Sequence, residues 1–474
     1  MMSRRLTPMM PKLIFAAAGL CLAGNLAAAS GGTTNCPAPS LWERETLTGD
    51  WGGLRPRASA SGFDFGLEYT GEVLANTQGG VERAALYQHL LQGVVEVNPE
   101  KFSGWHGALF HASGLWIAGS EPHSRNDIAG LTGSVYSDPS NLSAYDTIRL
   151  FELWLEQSFW SGKVSLKLGQ LALDQEFICD DNAGVFISGT HGWPAFVGST
   201  LPFGGPAYPL AGTGARLTFK PADNLSLQAA LVDGDVQDQA THNQHGTHMG
   251  FHGADALLTM VEIAYHRHEL ADDDSLPGCY KLGAWYYTSD FPDPSRDTAG
   301  RSLQDDGTLS GFPSTGRPAL HPGNGGFYFD VCQMLWRKQP HTDTGLGFYT
   351  RMAPWLPDNR NPLDFYAAAG LNFKGLLPAR AADIFGVGIN YAHVSSSLRN
   401  AQEAANRITA AGGKPNTLAA GPMPDYEMSV EITCQIRLSP WWYLQPDAQY
   451  IFHPGGSSAL ADAVVIGLRT KIVF

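Results

Sequence analysis

Tyr426-Glu427-Met428-Ser429-Val430-Glu431-Ile432-Thr433-Cys434-Gln435-Ile436-Arg437-Leu438 alternates without a break between apolar and polar side chains. Successive side chains of a strand point to opposite faces, so this stretch is a strand with one wholly apolar and one wholly polar face. Ser439-Pro440 ends it. A second alternating run sets Trp442, Leu444, Ala448, Tyr450 and Phe452 against Tyr443, Gln445, Asp447 and Gln449. After a loop over 453–461, a third sets Val464, Ile466, Leu468, Ile472 and Phe474 against Arg469 and Lys471. Three consecutive amphipathic strands, the last ending on an aromatic residue, are expected of a membrane β-barrel, whose outer face meets lipid and whose final strand pairs with the first.

The same rhythm runs through the chain. Strand-like runs occur near 63–74, 86–98, 105–117, 147–159, 163–170, 212–220, 224–233, 257–266, 279–289, 325–336, 344–352, 363–374, 383–393, 426–438, 441–452 and 463–474. The connections alternate in length. Long ones fall at 75–85, 118–146, 171–211, 234–256, 290–324, 353–362, 394–425 and 453–462, and those between them are shorter. A barrel with turns on one rim and loops on the other produces that parity, whereas a sandwich or propeller has no reason to. The expected fold is all-β: a transmembrane antiparallel up-and-down barrel of about 16 strands, with a helical stretch at Asn400–Ala411 inside one loop. Wall side chains cannot fill so wide a lumen. The longest connection, Leu171–Ala211, rich in glycine, proline and aromatics, is the natural segment to fold inward.

Arg4, Arg5 and Lys12, a short apolar core at Leu13–Leu26 and then Ala27-Ala28-Ala29 form a secretory signal, with cleavage expected after Ala29. Residues 30–62 read as a periplasmic lead-in and 63–474 as the barrel. Removing the signal leaves 28 Lys+Arg against 45 Asp+Glu, a net charge of −17. That balance speaks against nucleic acid, which needs basic patches. Five cysteines remain, Cys36, Cys179, Cys279, Cys332 and Cys434. The number is odd, so at least one is free or pairs between chains. Cys434 lies on the apolar face and is expected as a free thiol.

Leu47-Thr48-Gly49-Asp50-Trp51-Gly52-Gly53-Leu54-Arg55-Pro56-Arg57 and Leu67-Glu68-Tyr69-Thr70-Gly71-Glu72-Val73 resemble the amino-terminal signature of the OprB family of carbohydrate-selective porins. Gly169–Phe177, Pro357–Pro362, Gly370-Leu371 with Gly375–Arg380, and Trp441 through Gln449-Tyr450 to Gly467-Leu468-Arg469 resemble further family segments in collinear order. The resemblance implies a sixteen-stranded outer-membrane barrel of a Gram-negative bacterium that admits glucose-like monosaccharides by diffusion, with loops inside the barrel setting selectivity. It implies small neutral sugars as solutes, outer-membrane lipid and the barrel-assembly machinery as partners, no cofactor and no catalysis, and it leaves a homotrimer open.

A sugar-selective waist needs hydroxyl partners and ring-stacking surfaces that bind weakly enough to release the solute. Alternation turns Glu68 and Glu72, Glu152 and Trp154, Lys167, and Arg469 to the lumen, with Phe151, Leu153 and Leu155 assigned to lipid. Any one of these charges serves equally as polar wall. Trp154 is either a stacking platform or a residue packed beneath an inserted loop. Arg83 and Arg149 stand where they could reach the outer mouth, and the family resemblance makes basic residues there plausible. The expected inserted loop holds Asp174, Glu176 and Trp193, with the two carboxylates also suited to anchoring the loop on Lys167. Paired carboxylates admit a glycosidase reading. It is set aside because the collinear pattern is that of a pore and a general diffusion porin is the nearer alternative. His242, His245, His248 and His252 have spacings compatible with zinc or copper. Their place in a predicted outer loop favours a polar surface, and no metal is expected.

Overall fold

The computed structural model describes residues 40–122, 124–236, 243–251, 256–267 and 275–474. The signal segment, Cys36, His242 and His252 lie outside the described residues. Sixteen antiparallel strands close into one barrel, each pairing with its sequence neighbours and the last with the first. They are β1 (Phe63–Gln78), β2 (Ala84–Val97), β3 (Ala108–Ala118), β4 (Thr147–Phe159), β5 (Val164–Leu171), β6 (Gly212–Ala222), β7 (Leu225–Asp233) and β8 (Leu257–Arg267). The second half comprises β9 (Gly278–Asp297), β10 (Pro318–Arg337), β11 (Gly345–Ala353), β12 (Leu363–Lys374), β13 (Ile384–Val394), β14 (Tyr426–Ser439), β15 (Trp442–Phe452) and β16 (Ala463–Val473). No described helix is long and apolar enough to cross a membrane.

Burial along β14 is inverted relative to a soluble sheet. Glu427, Ser429 and Glu431 are fully buried, while Ile432, next to Glu431, is 47% exposed. The apolar face of the opening stretch therefore looks outward to lipid and the polar face inward, the arrangement a membrane barrel needs. Closure is direct: Glu68 pairs with Val473 and Glu72 with Arg469, and the Phe474 N–H donates to the Leu67 carbonyl at 2.9 Å. The lead-in docks on the same rim. Leu47 N–H donates to Val473 O at 2.8 Å, Arg55 Nη2 reaches Phe474 O at 2.8 Å, and Trp42 stacks on Trp441 and Trp442.

Two expectations need correction. The connection expected at 290–324 is strand at both ends: β9 runs on to Asp297 and β10 starts at Pro318, forming a hairpin that rises past the rim. Register shifts between Pro318 and Leu320 and between Pro322 and Asn324 absorb the prolines and glycines that suggested a loop. The second correction concerns β4. Ser113 of β3 opposes Glu152 and Gly114 opposes Leu150, leaving Phe151 as an extra residue. This bulge resets the alternation, so Phe151 turns inward and is buried with Leu115, Leu142, Ala172 and Ala211 instead of facing lipid. Above the bulge the same reset brings Thr147 and Arg149 inward. The helix expected at Asn400–Ala411 spans Ser396–Ala410, capped by Ser395 Oγ accepting from Leu398 N–H.

A charge on the outward face should be costly at mid-wall. Ile432→Arg is expected to destabilise the refolded barrel by about 2–4 kcal/mol in denaturant titrations in liposomes. Stability equal to that of the parent would contradict the outward assignment of this face.

Candidate functional site: the loop-filled lumen

Among the described residues, two loops enter the barrel. The third, 172–211, follows β5, and the second, 119–146, follows β3. Only the third was expected to do so. A loop inside a barrel carries backbone N–H and C=O groups away from bulk water, and each needs a partner. The wall supplies them, largely through carboxylates at inward positions.

Glu427 of β14 accepts from Tyr136 N–H at 2.8 Å and Ser137 N–H at 2.6 Å, Val135 N–H at 3.0 Å, Ser134 Oγ at 2.6 Å and Gly455 N–H at 2.8 Å. Four residues further along the strand, Glu431 accepts from Ile187 N–H at 2.6 Å and Ser188 N–H at 3.0 Å of the third loop. Gln435 and Gln445 both donate to Val185 O, at 3.2 and 2.8 Å. Across the barrel, Glu262 of β8 accepts from Ile178 N–H at 3.1 Å and from the Tyr328 hydroxyl at 2.9 Å. Arg351 of β11, almost fully buried, pairs with Asp330 at 2.9 Å and donates to the carbonyls of Ile178 at 3.0 Å and His191 at 2.6 Å. Inward glycines complete the seat: a Cβ at Gly388 would come within 2.8 Å of the Phe186 ring and one at Gly370 within 2.9 Å, so a side chain at either would displace that aromatic anchor.

The residues singled out in the sequence divide into three groups. Glu72, Glu152, Lys167, Glu176 and Arg469 are tied into loop anchorage. Glu72 accepts from Arg469 Nε at 2.6 Å and Gln88 Nε2 at 2.6 Å and from the Ser140 hydroxyl of the second loop. Arg469 Nη2 continues to Asn141 Oδ1 at 2.7 Å. Glu152 accepts from Ala172 N–H at 3.2 Å. Glu176 pairs with Lys167 and with Arg216 Nε at 2.9 Å. Asp174 and Trp193 work within the third loop: Asp174 Oδ2 accepts from Tyr208 N–H at 3.0 Å, and Trp193 Nε1 donates to Gly204 O at 2.7 Å. Asp174 and Glu176, two residues apart, are electrostatically opposite. Burial pushes the Asp174 carboxyl up to about 7, with no cation beside it. Burial also acts to raise Glu176, but Lys167 and Arg216 outweigh it and hold that carboxyl below its ordinary value.

The remaining candidates are Glu68, Trp154, Arg149 and Arg83, of which only Arg83 is solvent-exposed. Glu68 pairs with Lys471 at 2.7 Å in a recess beneath the third loop that Tyr443, Phe186 and Gln435 also line. Trp154 is stacked on His111, with ring centroids 4.5 Å apart and planes 3° apart, and Lys167 Nζ lies 3.8 Å from the ring centroid on which it sits. Arg149 is buried near the loop-side mouth. One nitrogen bonds the Tyr145 hydroxyl, and Nε and Nη2 have no hydrogen-bond partner among the described residues. Arg83 is exposed on the first loop, apart from this group. Of the histidine run, His245 lies against β4, its Nδ1 2.9 Å from Ile148 O. Among the described residues no cluster of His, Cys, Asp or Glu is arranged to hold a metal, and Cys179, Cys279, Cys332 and Cys434 are free thiols. Glu262 and Arg351 were not singled out in the sequence. Each left a signal: one charged residue at an inward position, between Val261 and Ile263 in β8 and between Thr350 and Met352 in β11.

A profile of the family described as carbohydrate-selective porin, OprB family, matches residues 82–474. It begins downstream of the Leu47–Arg57 signature and takes in every strand from β2 onward. Porin B of Pseudomonas aeruginosa is 27% identical over 437 residues, covering 90% of this chain and 91% of that protein. The putative porin QuiX of Acinetobacter baylyi is 25% identical over 484 residues, covering 95% and 98%. The high-pH structure of Pseudomonas putida OprB is similar in fold, with a TM-score of 0.79 at 23% identity over 91% of this chain and 99% of that one. With a closed barrel, two inserted loops and a family match over more than four-fifths of its length, the chain belongs to the OprB family of carbohydrate-selective porins.

Proposed function

We propose that the protein is an outer-membrane channel of a Gram-negative bacterium through which small neutral sugars such as glucose diffuse passively into the periplasm. The export signal is cleaved after Ala29, residues 30–62 lie on the periplasmic side, and the barrel-assembly machinery inserts 63–474. The observation that carries this reading is the pairing of lumen charges. Glu68 with Lys471, Glu72 with Arg469, Lys167 and Arg216 with Glu176, and Arg351 with Asp330 are opposite-sign contacts within 3 Å. Paired charges leave little net field to select ions, yet their remaining lone pairs and N–H groups can exchange hydrogen bonds with hydroxyls. In this assignment Glu68, Arg149 and Lys471 serve as hydroxyl partners and Trp154 as a nearby apolar ring. Glu72, Glu152, Lys167, Asp174, Glu176, Trp193 and Arg469 hold the two loops that set the waist.

Planar-bilayer recording with glucose titration tests the selectivity. The expected result is a saturable fall in conductance with glucose. A current indifferent to sugar, with equal liposome swelling in sugars and amino acids, would mean a general diffusion pore. Deleting 174–193 is expected to enlarge the conductance several-fold, and unchanged conductance would remove the third loop from the waist. For the second loop, Glu427→Ala leaves several buried donors unpaired at about 1–3 kcal/mol each. Limited proteolysis should then cut near 134–137 in a barrel that still shows heat-modifiable migration. Resistance equal to that of the parent would show that Glu427 does not hold the loop.

A further inference from the structure

The outer wall is apolar and convex around most of its circumference, but at the loop-side end of β8–β10 it is hollow. A groove of about 650 Å³ runs there between the strands and the sixth loop, 354–362. Its floor is made by small residues at outward positions: Ala284 of β9 and Gly323 and Gly325 of β10. A Cβ at Gly323 would fall 2.1 Å from the Tyr286 hydroxyl and one at Gly325 3.2 Å from its ring, so the two glycines let Tyr286 lie along the wall. Val261 and Phe327 bound one side. On the other, the loop carries Trp355 outward, 62% exposed, and places Arg360 at the rim.

Tyr286, Phe327 and Trp355 are aromatic residues where wall gives way to loop, the level at which such rings sit between acyl chains and headgroups. Arg360 is oriented by the loop. Its Nη1 donates to Pro322 O at 3.0 Å and its Nε to Asn359 Oδ1 at 3.0 Å. The neighbouring carboxylate, Asp358, also lines the groove and is engaged by the Ser396 hydroxyl, which donates to its Oδ2. A cation fixed above an apolar groove at the headgroup level is complementary to a phosphate with an acyl chain beneath it. A second barrel is a poor occupant, because two convex walls meet edge to edge and do not fill a hollow beneath a loop.

We propose that this groove seats an acyl chain of a phosphorylated glycolipid of the outer leaflet, with Arg360 on its phosphate. The assignment rests on the outer-membrane location proposed above. Native mass spectrometry of the full-length protein in non-ionic detergent, titrated with bisphosphorylated lipid A or with phosphatidylethanolamine, tests it. The parent should retain one lipid A in preference to the zwitterionic lipid. Arg360→Gln should weaken retention about tenfold, the loss of one charge-assisted bond. Ala284→Trp, which fills the floor from the lipid side, should abolish it. Both variants should keep heat-modifiable migration, the sign of a closed barrel. Equal retention of both lipids, undiminished lipid A on Ala284→Trp, or a change in the number of chains per particle with lipid binding intact would each overturn the assignment. Recovery of the native chain outside the outer-membrane fraction would instead defeat the location on which it rests.

Discussion

Buried carboxylates accepting backbone N–H groups are the interaction on which this barrel's interior depends. Sixteen strands enclose more space than their own side chains can fill, and the filling here is two loops rich in peptide groups. Those groups cannot remain unpaired away from water. Glu427 and Glu431 on β14, Glu262 on β8 and Glu152 on β4 meet the loop amides from opposite sides of the lumen. Arg351, Gln435 and Gln445 meet the carbonyls. A charged acceptor strengthens each bond beyond that of a neutral pair. The polar face of the wall is therefore both channel lining and the scaffold that holds the two inserted loops in place.

This dual use explains why the lumen is so fully paired. A lone carboxylate in a narrow, partly desolvated space is costly, and burial raises Asp174 to about 7 where no cation offsets it. Beside Glu176, Lys167 and Arg216 outweigh the same burial and hold that carboxyl below its ordinary value. The mixed-sign wall thus follows from loop anchorage as much as from solute preference. It also accounts for the odd position of Arg149. Among the described residues its guanidinium bonds a tyrosine hydroxyl while Nε and Nη2 make no hydrogen bond, so it retains hydrogen-bonding capacity that the loop-anchoring residues have already used.

Much of the fold was legible in the chain because a barrel wall is a local code. A period of two assigns each residue of a strand to lipid or lumen, and loop parity assigns each connection to a rim. Both depend only on nearest neighbours along the chain. The pattern failed where neighbours in space intervened. The bulge at Phe151 is created by the register of β4 against β3, and the extension of β9 and β10 depends on each supplying the other's hydrogen bonds past the rim.

The sequence by itself determined which side chains face inward on most strands, that the ends meet, and that the longest connection was a natural candidate to fold inward. It put Glu427 and Glu431 on the lumen wall, but as generic polar positions. Only the tertiary structure decided what they bind, because their partners are peptide groups nearly three hundred residues away for Glu427 and about two hundred and forty for Glu431. A backbone amide carries no side-chain identity by which a sequence could announce the contact. The second loop's entry was hidden for the same reason: its hold on the wall is made mostly by main-chain N–H groups and small hydroxyls, and its depth is set by where Glu427, Glu72 and Arg469 stand once the barrel has closed.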